Sequence, residues 1–276
     1  VSFKPTKKSI LLIGDTIVDK YVYLKPVGLS LETPTIKCTL ESSRREFGGA
    51  ANVAYHLSSL GCKVDFLTSI DDSLLQSLAL SSKVNIIQVS KKTQLKERYY
   101  IVKNESYKYL QINDCEVIKV DKMPNIDFNS YDTIVVSDYR LGIADSVIDS
   151  LPKEKTICQM QISDSQASLK KYKNFHCIVG NEDEIPCKSI KEFCIDNSNA
   201  ICISTQGEKG VVVYDGQTTQ SNSSDILPKL KDYHGAGDAF LAGFCANYQF
   251  STDSVASAVL HGIKTASSFL LRKENV

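Results

Sequence analysis

The chain has 276 residues, 42% of them hydrophobic and 23% charged, a composition that supports a large buried core and excludes disorder. Lys plus Arg and Asp plus Glu number 32 each, so no net charge draws the chain to nucleic acid or an anionic membrane, and an anionic ligand must be held locally. The first apolar run, Ile10–Ile13, is cut by Gly14 and Asp15, far short of the roughly 20 residues a membrane span needs. With no signal peptide legible either, the expectation is a cytoplasmic protein.

In chain order, short apolar β-branched runs recur at Ile10–Ile13, Val64–Thr68, Thr133–Ser137, Ile157–Ile162, Cys177–Val179, Ala200–Ser204 and Val211–Tyr214. Most are too short for helices and read as buried strands. Helix-like segments lie between many of them: Ala50–Leu60, Asp71–Leu80, Ala144–Ser150, Ser165–Tyr172 and Ile190–Asp196. This alternation predicts a mainly parallel sheet covered by helices on both faces. Two half-polar stretches, Tyr21–Leu40 and Leu95–Asn113, lack an intervening helix; Leu95–Val102 and Tyr107–Ile112 read as a hairpin. They predict a small second sheet, a flap whose strands span about 16–46 and 93–115, with an exposed face suited to a partner subunit. From Gly235 to about Leu271 the chain reads as helical, with Ser251 or Thr252 capping a second helix. No repeat or linker interrupts the chain, so residues 1–276 read as one domain.

Nine cysteines are scattered without a C-x-x-C pair and read as buried reduced thiols. Four dispersed histidines add no zinc-ligand spacing.

The strongest chemical signal is Asp232–Phe240, D-Y-H-G-A-G-D-A-F. Gly235, Ala236 and Gly237 permit tight turns, and a glycine-rich entry to a helix N-terminus is an anion site. Asp238 in that first turn is placed to take a proton from a hydroxyl attacking a phosphate; as an isolated motif it serves equally as a capping aspartate. In Phe47–Ala54, F-G-G-A-A-N-V-A, Gly48 and Gly49 precede an apolar helix and Asn52 offers donor and acceptor for sugar hydroxyls. In Ile13–Asp19, I-G-D-T-I-V-D, Asp19 follows the first strand at the edge where α/β sheets bind ligands, and it is otherwise a turn aspartate. The dinucleotide fingerprint G-x-G-x-x-G is absent there.

Together with V-S-D-Y (136–139), N-x-x-E (181–184) and S-T-Q-G-E-K-G (204–210), these motifs in this order resemble the ribokinase-like (PfkB) carbohydrate kinases. The wording of Asp15–Tyr23, Leu29–Thr35 and Glu46–Gly61 is most similar to the heptose-7-phosphate kinases of bacterial lipopolysaccharide-precursor synthesis. The resemblance implies a three-layer α/β/α sandwich with a β flap, ATP and Mg²⁺ as cofactors, a sugar or sugar-phosphate substrate and a homodimer through the flaps. It implies Asp238 as base and the amides of Gly235, Ala236 and Gly237 as anion hole. Asp19, Gly48, Gly49 and Asn52 would hold the sugar, with Asp138 near it, and Lys96 and Arg98 would clamp a phosphate already on the substrate; a solvated strand face is the other reading of that pair. Asn181, Thr205, Gly207 and Gly210 would line the nucleotide site, with Glu184 toward magnesium, directly or through water. The family's D-Y-x-K-G reads Asp138-Tyr-Arg-Leu-Gly142 here, with Leu141 at the lysine position, and His234 precedes the Gly-Ala-Gly turn. Other sugar or nucleoside kinases of the family share the core motifs, and a non-catalytic relative that binds sugar or nucleotide is the reading from a different class.

Overall fold

The computed structural model describes residues 7–103, 106–120, 122–160, 171–185, 190–191, 201–216, 218–223 and 233–274. A nine-stranded sheet forms the body. Its strands are β1 (Ser9–Gly14), β4 (Lys63–Ser69), β5 (Asn85–Ser90), β8 (Thr133–Ser137), β9 (Thr156–Gln159), β10 (Cys177–Asn181), β11 (Ile201–Thr205), β12 (Val211–Tyr214) and β13 (Thr219–Asn222). They run in the order β13-β12-β11-β10-β9-β8-β1-β4-β5, parallel except where β12 and β13 pair antiparallel at one edge.

Burial on both faces explains the unbroken apolar runs. Ile10, Leu11, Leu12 and Ile13 are all fully buried, yet Ile10 and Leu12 join one core cluster and Leu11 and Ile13 the other. Each such side chain contributes about 1.5–3 kcal/mol on leaving water. The first cluster packs under α1 (Ala50–Ser59), α2 (Asp72–Ser82), α3 (Ala236–Asn247) and α4 (Thr252–Glu274). The second is covered by Ile143–Leu151, Tyr172, Phe175, Ile185 and Ile190. No helix among the described residues is long and apolar enough to cross a membrane.

The flap is the expected second sheet, with β2 (Thr16–Leu29), β3 (Ile36–Gly49), β6 (Gln94–Val102) and β7 (Ser106–Asp114) in the order β3-β2-β6-β7. Four readings change. The helix expected over Ala144–Ser150 is instead a series of turns ending in the 3-10 helix Ile148–Ser150. There the hydroxyls of Ser146 and Ser150 donate to the carbonyls of Gly142 (2.8 Å) and Val147 (2.7 Å), the local bonding by which serine competes with a helix. The strand expected over Ile157–Ile162 is β9, which ends at Gln159. Strands β5 and β13 were not expected; they are short edge strands, and β13 (T-Q-S-N) is wholly polar. Among the described residues six cysteines form no disulfide, but Cys202 is disulfide-bonded, against the expectation of reduced thiols throughout. The helices expected over Ser165–Tyr172 and Ile190–Asp196 fall largely outside the described residues.

Candidate active site

The chain leaves β1 toward β4 on one side and reaches β8 on the other, so the sheet's topological switch point lies between β1 and β8. Ligands of open α/β sheets bind beyond the carboxyl ends of the strands at such a point. Gly14-Asp15 leaves β1 there, and Asp138-Tyr139 leaves β8 beside it.

Asp15 organises this corner. It is 1% exposed, and its carboxylate accepts from the backbone N–H groups of Tyr139 (3.1 Å), Leu141 (3.3 Å) and Ile143 (3.3 Å). Its own carbonyl accepts the Ala50 N–H at 3.0 Å, the first amide of α1. Burial pushes the Asp15 carboxyl up to about 6, against the pull of those three backbone bonds. Gly49, at φ 62, turns the chain from β3 into α1, and a Cβ there would meet the Asp15 carbonyl at 2.5 Å, so only glycine fits.

Asp238 stands in the first turn of α3, 7% exposed. Its Oδ2 accepts from Asn52 Nδ2 of α1 at 3.0 Å. Its Oδ1 accepts from the Tyr139 hydroxyl at 2.8 Å and from Gln159 Nε2 at the end of β9 at 3.3 Å. Burial raises this carboxyl, the three donors pull it back, and the nearby charge of Asp19 raises it again. The turn into α3 needs Gly235: its φ is +87, and a Cβ would stand 2.8 Å from Asn52 Nδ2 and 3.1 Å from the Phe269 ring.

A cleft of about 300 Å³ opens in front of Asp238. Tyr139, Gln159, Asn181, Glu184, Thr205, His234, Gly235 and Gly237 also line it. A Cβ on Gly237 would meet nothing within 4 Å, so the backbone of the first helical turn faces open space, as an anion site requires. The Ala236 N–H, by contrast, is bonded to the Tyr233 carbonyl at 3.2 Å, so of the three expected anion-hole amides this one is already engaged. Asn181 and Glu184 close a reciprocal turn: Asn181 Oδ1 accepts the Glu184 N–H at 3.0 Å, and Glu184 Oε2 accepts the Asn181 N–H at 2.7 Å. Among the described residues no three His, Cys, Asp or Glu side chains cluster. That donor set fits magnesium held chiefly by phosphate oxygens and water, with a single carboxylate at hand. Thr205 reaches the cleft; Gly207 and Gly210 occupy the positive-φ turn that follows β11 and do not line it.

On the flap, Asp19 on β2 lies opposite Lys96 of β6, one row from Tyr21 and Arg98. The Arg98 guanidinium is ion-paired with Asp19 and sits 5.5 Å from the Tyr21 ring centre. Arg98 therefore serves Asp19 in this structure, while Lys96 is half-buried in the same face. Gly48 pairs with Ile17 on β2, and a Cβ there would collide with the Asp19 carboxylate.

Two expected roles are redrawn. Asp138 does not face the cleft. It is fully buried, and its carboxylate accepts from Tyr172 Oη, from Lys171 Nζ at 2.6 Å and from the Arg140 N–H at 2.8 Å. The next residue, Tyr139, turns to Asp238 instead. Asn52, expected on the sugar, donates to Asp238. Sequence reasoning missed Tyr139, Gln159 and Asp15. The legible signal for Gln159 was a polar residue closing an apolar strand, and for Asp15 the first aspartate of G-D-x-x-x-D.

Residues 7–274 match the model of the pfkB family of carbohydrate kinases. The bifunctional protein HldE of Aliarcobacter butzleri is 24% identical over 270 residues, covering 86% of this chain and 55% of that protein. HldE of Sulfurimonas denitrificans is 26% identical over 272 residues, covering 87% and 56%. The chain thus spans about half the length of these curated relatives. Among solved structures, the Methanocaldococcus jannaschii nucleoside kinase, an archaeal member of the ribokinase family, superposes with a TM-score of 0.70 at 19% identity, covering 95% of this chain and 91% of that one. The ribokinase of Cryptococcus neoformans in complex with ADP gives 0.69 at 16% identity, covering 95% and 93%.

Proposed function

Because the chain belongs to the pfkB family of carbohydrate kinases, we propose that it transfers the γ-phosphoryl group of ATP to the anomeric hydroxyl of a heptose 7-phosphate. The observation that carries the chemistry is Asp238: a buried carboxylate at a helix start, fixed at both oxygens, beside an open cleft. As the sugar oxygen attacks the γ-phosphorus, its proton passes to Asp238, the new O–P bond forms, and the bond to the ADP oxygen breaks. The first turn of α3 stabilises the charge on the transferred group with the Gly237 amide and the helix dipole. Asn181 and Glu184 line the same cleft and would hold magnesium through water; the ion would supply charge neutralisation on the phosphates.

The heptose assignment is supported by the wording of Asp15–Tyr23 and Glu46–Gly61 and by the HldE relatives. Of the two flap cations expected on the 7-phosphate, Lys96 is the one not drawn to Asp19. A phosphate-free sugar is the second reading, favoured by one observation: Arg98 is already paired with Asp19. On the outer face of the flap, Leu110 and Ile112 of β7 are exposed, and the reading includes two copies pairing through that face.

The test is ADP release from Mg-ATP with D-glycero-D-manno-heptose 7-phosphate, beside hexoses, pentoses and their phosphates. Turnover on the heptose phosphate should fall by about 10²–10⁴ in Asp238→Asn. Turnover only on another acceptor discards the heptose, and full activity in Asp238→Asn discards the base.

A further inference from the structure

Three donors converge on Asp238, Tyr139 and Gln159 on Oδ1 and Asn52 on Oδ2. Gln159 also accepts the Ser137 hydroxyl through Oε1 at 2.7 Å, and Asn52 approaches the opposite oxygen. The Tyr139 hydroxyl makes the shortest of the three contacts, 2.8 Å to Oδ1. Its backbone is pinned separately, through its N–H to Asp15, in a turn whose next two odd-numbered residues, Leu141 and Ile143, are held by the same carboxylate. The phenol is thus delivered to the base by a buried frame that does not depend on the sugar or on the nucleotide.

Resting on the reading of Asp238 as base, we infer that Tyr139 is a positioning residue for it: its hydroxyl fixes Oδ1 and leaves Oδ2, shared only with Asn52, to face the acceptor hydroxyl. A phenol suits this task. It stays protonated, because burial and then the adjacent carboxylate push its ionisation well above the ordinary phenol range, so it donates throughout the catalytic cycle. A hydrogen bond to the ionised form also opposes the upward push of burial on Asp238, keeping the carboxylate available as an acceptor. The charged or titratable groups around the pair are Asp19 on β2 with Arg98 of β6 upon it, Glu184 after β10, and His234 before α3. None of them bonds to Oδ1.

The experiment is a carboxyl ¹³C titration of the unliganded protein labelled at aspartate, with the Asp238 signal assigned by its loss in Asp238→Asn. In Tyr139→Phe the Asp238 midpoint should rise by about one pH unit, because a donor to the charged form is lost. Steady-state turnover with heptose 7-phosphate as the acceptor should show kcat down about tenfold or more, with KM for both substrates within about twofold and the acid limb of the kcat profile moved upward. Gln159→Met removes the longer donor to the same oxygen and should move the midpoint in the same direction by less, which keeps the test open if Tyr139→Phe folds poorly. An unmoved midpoint in both variants overturns the inference. So does a rise in KM at unchanged kcat, which would make Tyr139 a substrate ligand. Loss of activity in Asp238→Asn with none in Tyr139→Phe sinks the inference and leaves the base; an active Asp238→Asn sinks the base itself.

Discussion

In the body, Asp238 is 7% exposed, and donors from α1, the loop after β8 and the end of β9 meet on it. In the flap, the side chains of Asp19 and Arg98 are 17% and 12% exposed and answer chiefly each other, over a row of tyrosines in which Tyr21 and Tyr23 stack on Tyr100. Asp238, the proposed base, is held by neutral donors on elements that share one core; Asp19, the carboxylate proposed to face the sugar, is held by a single opposite charge on a thin sheet. Neutral donors orient a carboxylate without cancelling it, whereas an ion pair neutralises it and can be re-partnered when another anion or a hydroxyl arrives. On the proposed reading, the chemistry is built to stay put and the selection of acceptor is built to adapt.

The sharpest way to break this contrast is at the flap cations. Lys96→Glu should raise KM for a sugar phosphate by roughly 10- to 100-fold, the loss of a charge-assisted bond, with phosphate-free sugars little affected. Arg98→Met should weaken both kinds of acceptor alike, since it acts through Asp19. Unchanged kinetics on the sugar phosphate in Lys96→Glu would end the clamp reading. A second test concerns the outer face. Light scattering at micromolar concentration should give the mass of a dimer, and Leu110→Glu with Ile112→Glu should give a monomer that melts within a few degrees of the wild type. A monomeric wild type would leave those side chains without the proposed partner. A third test lies at Asp15. An aspartate ionises near 3.8 when unfolded, and this one near 6 when folded, so between those values the native state holds the extra proton and loses stability as pH rises. The stability of the wild type relative to Asp15→Asn should fall between about pH 4 and pH 7, by roughly 3 kcal/mol or several degrees in Tm. A difference independent of pH would mean that Asp15 is not buried in its charged form.

Much of this architecture is legible from periodicity. Runs such as Ile10–Ile13 can be apolar at every position only if both faces of the sheet are covered, and the half-polar 16–46 and 93–115 stretches announce a sheet with one open side. Edge strands escaped because β13 has no apolar side chain to betray it and the hydrophobic residues of β5 are only half buried. In the site, the Gly-Ala-Gly-Asp turn could be read from composition because its geometry demands particular residues. The Asp138-Tyr139 pair could not be read this way: just past a strand end, a rotation of one residue decides which side chain meets the cleft, and that rotation is set by Asp15 from β1 and by Lys171 and Tyr172, far away in sequence. Arg98 was legible as a cation but not as a partner of Asp19, since the row that joins them exists only once β2 and β6 pair.

Asp15 ties the first amide of α1 to the turn that carries Tyr139, through its carbonyl on one side and its carboxylate on the other. Asn52 rides on that helix and Tyr139 on that turn, so both oxygens of Asp238 are gripped from parts fastened to one rivet. The two grips are therefore tied to each other, like the sides of one jaw around Asp238. If the flap selects the acceptor as proposed, variation that retunes the enzyme for a new one has a free hand there, but at position 15 any change would move both sides of the jaw at once.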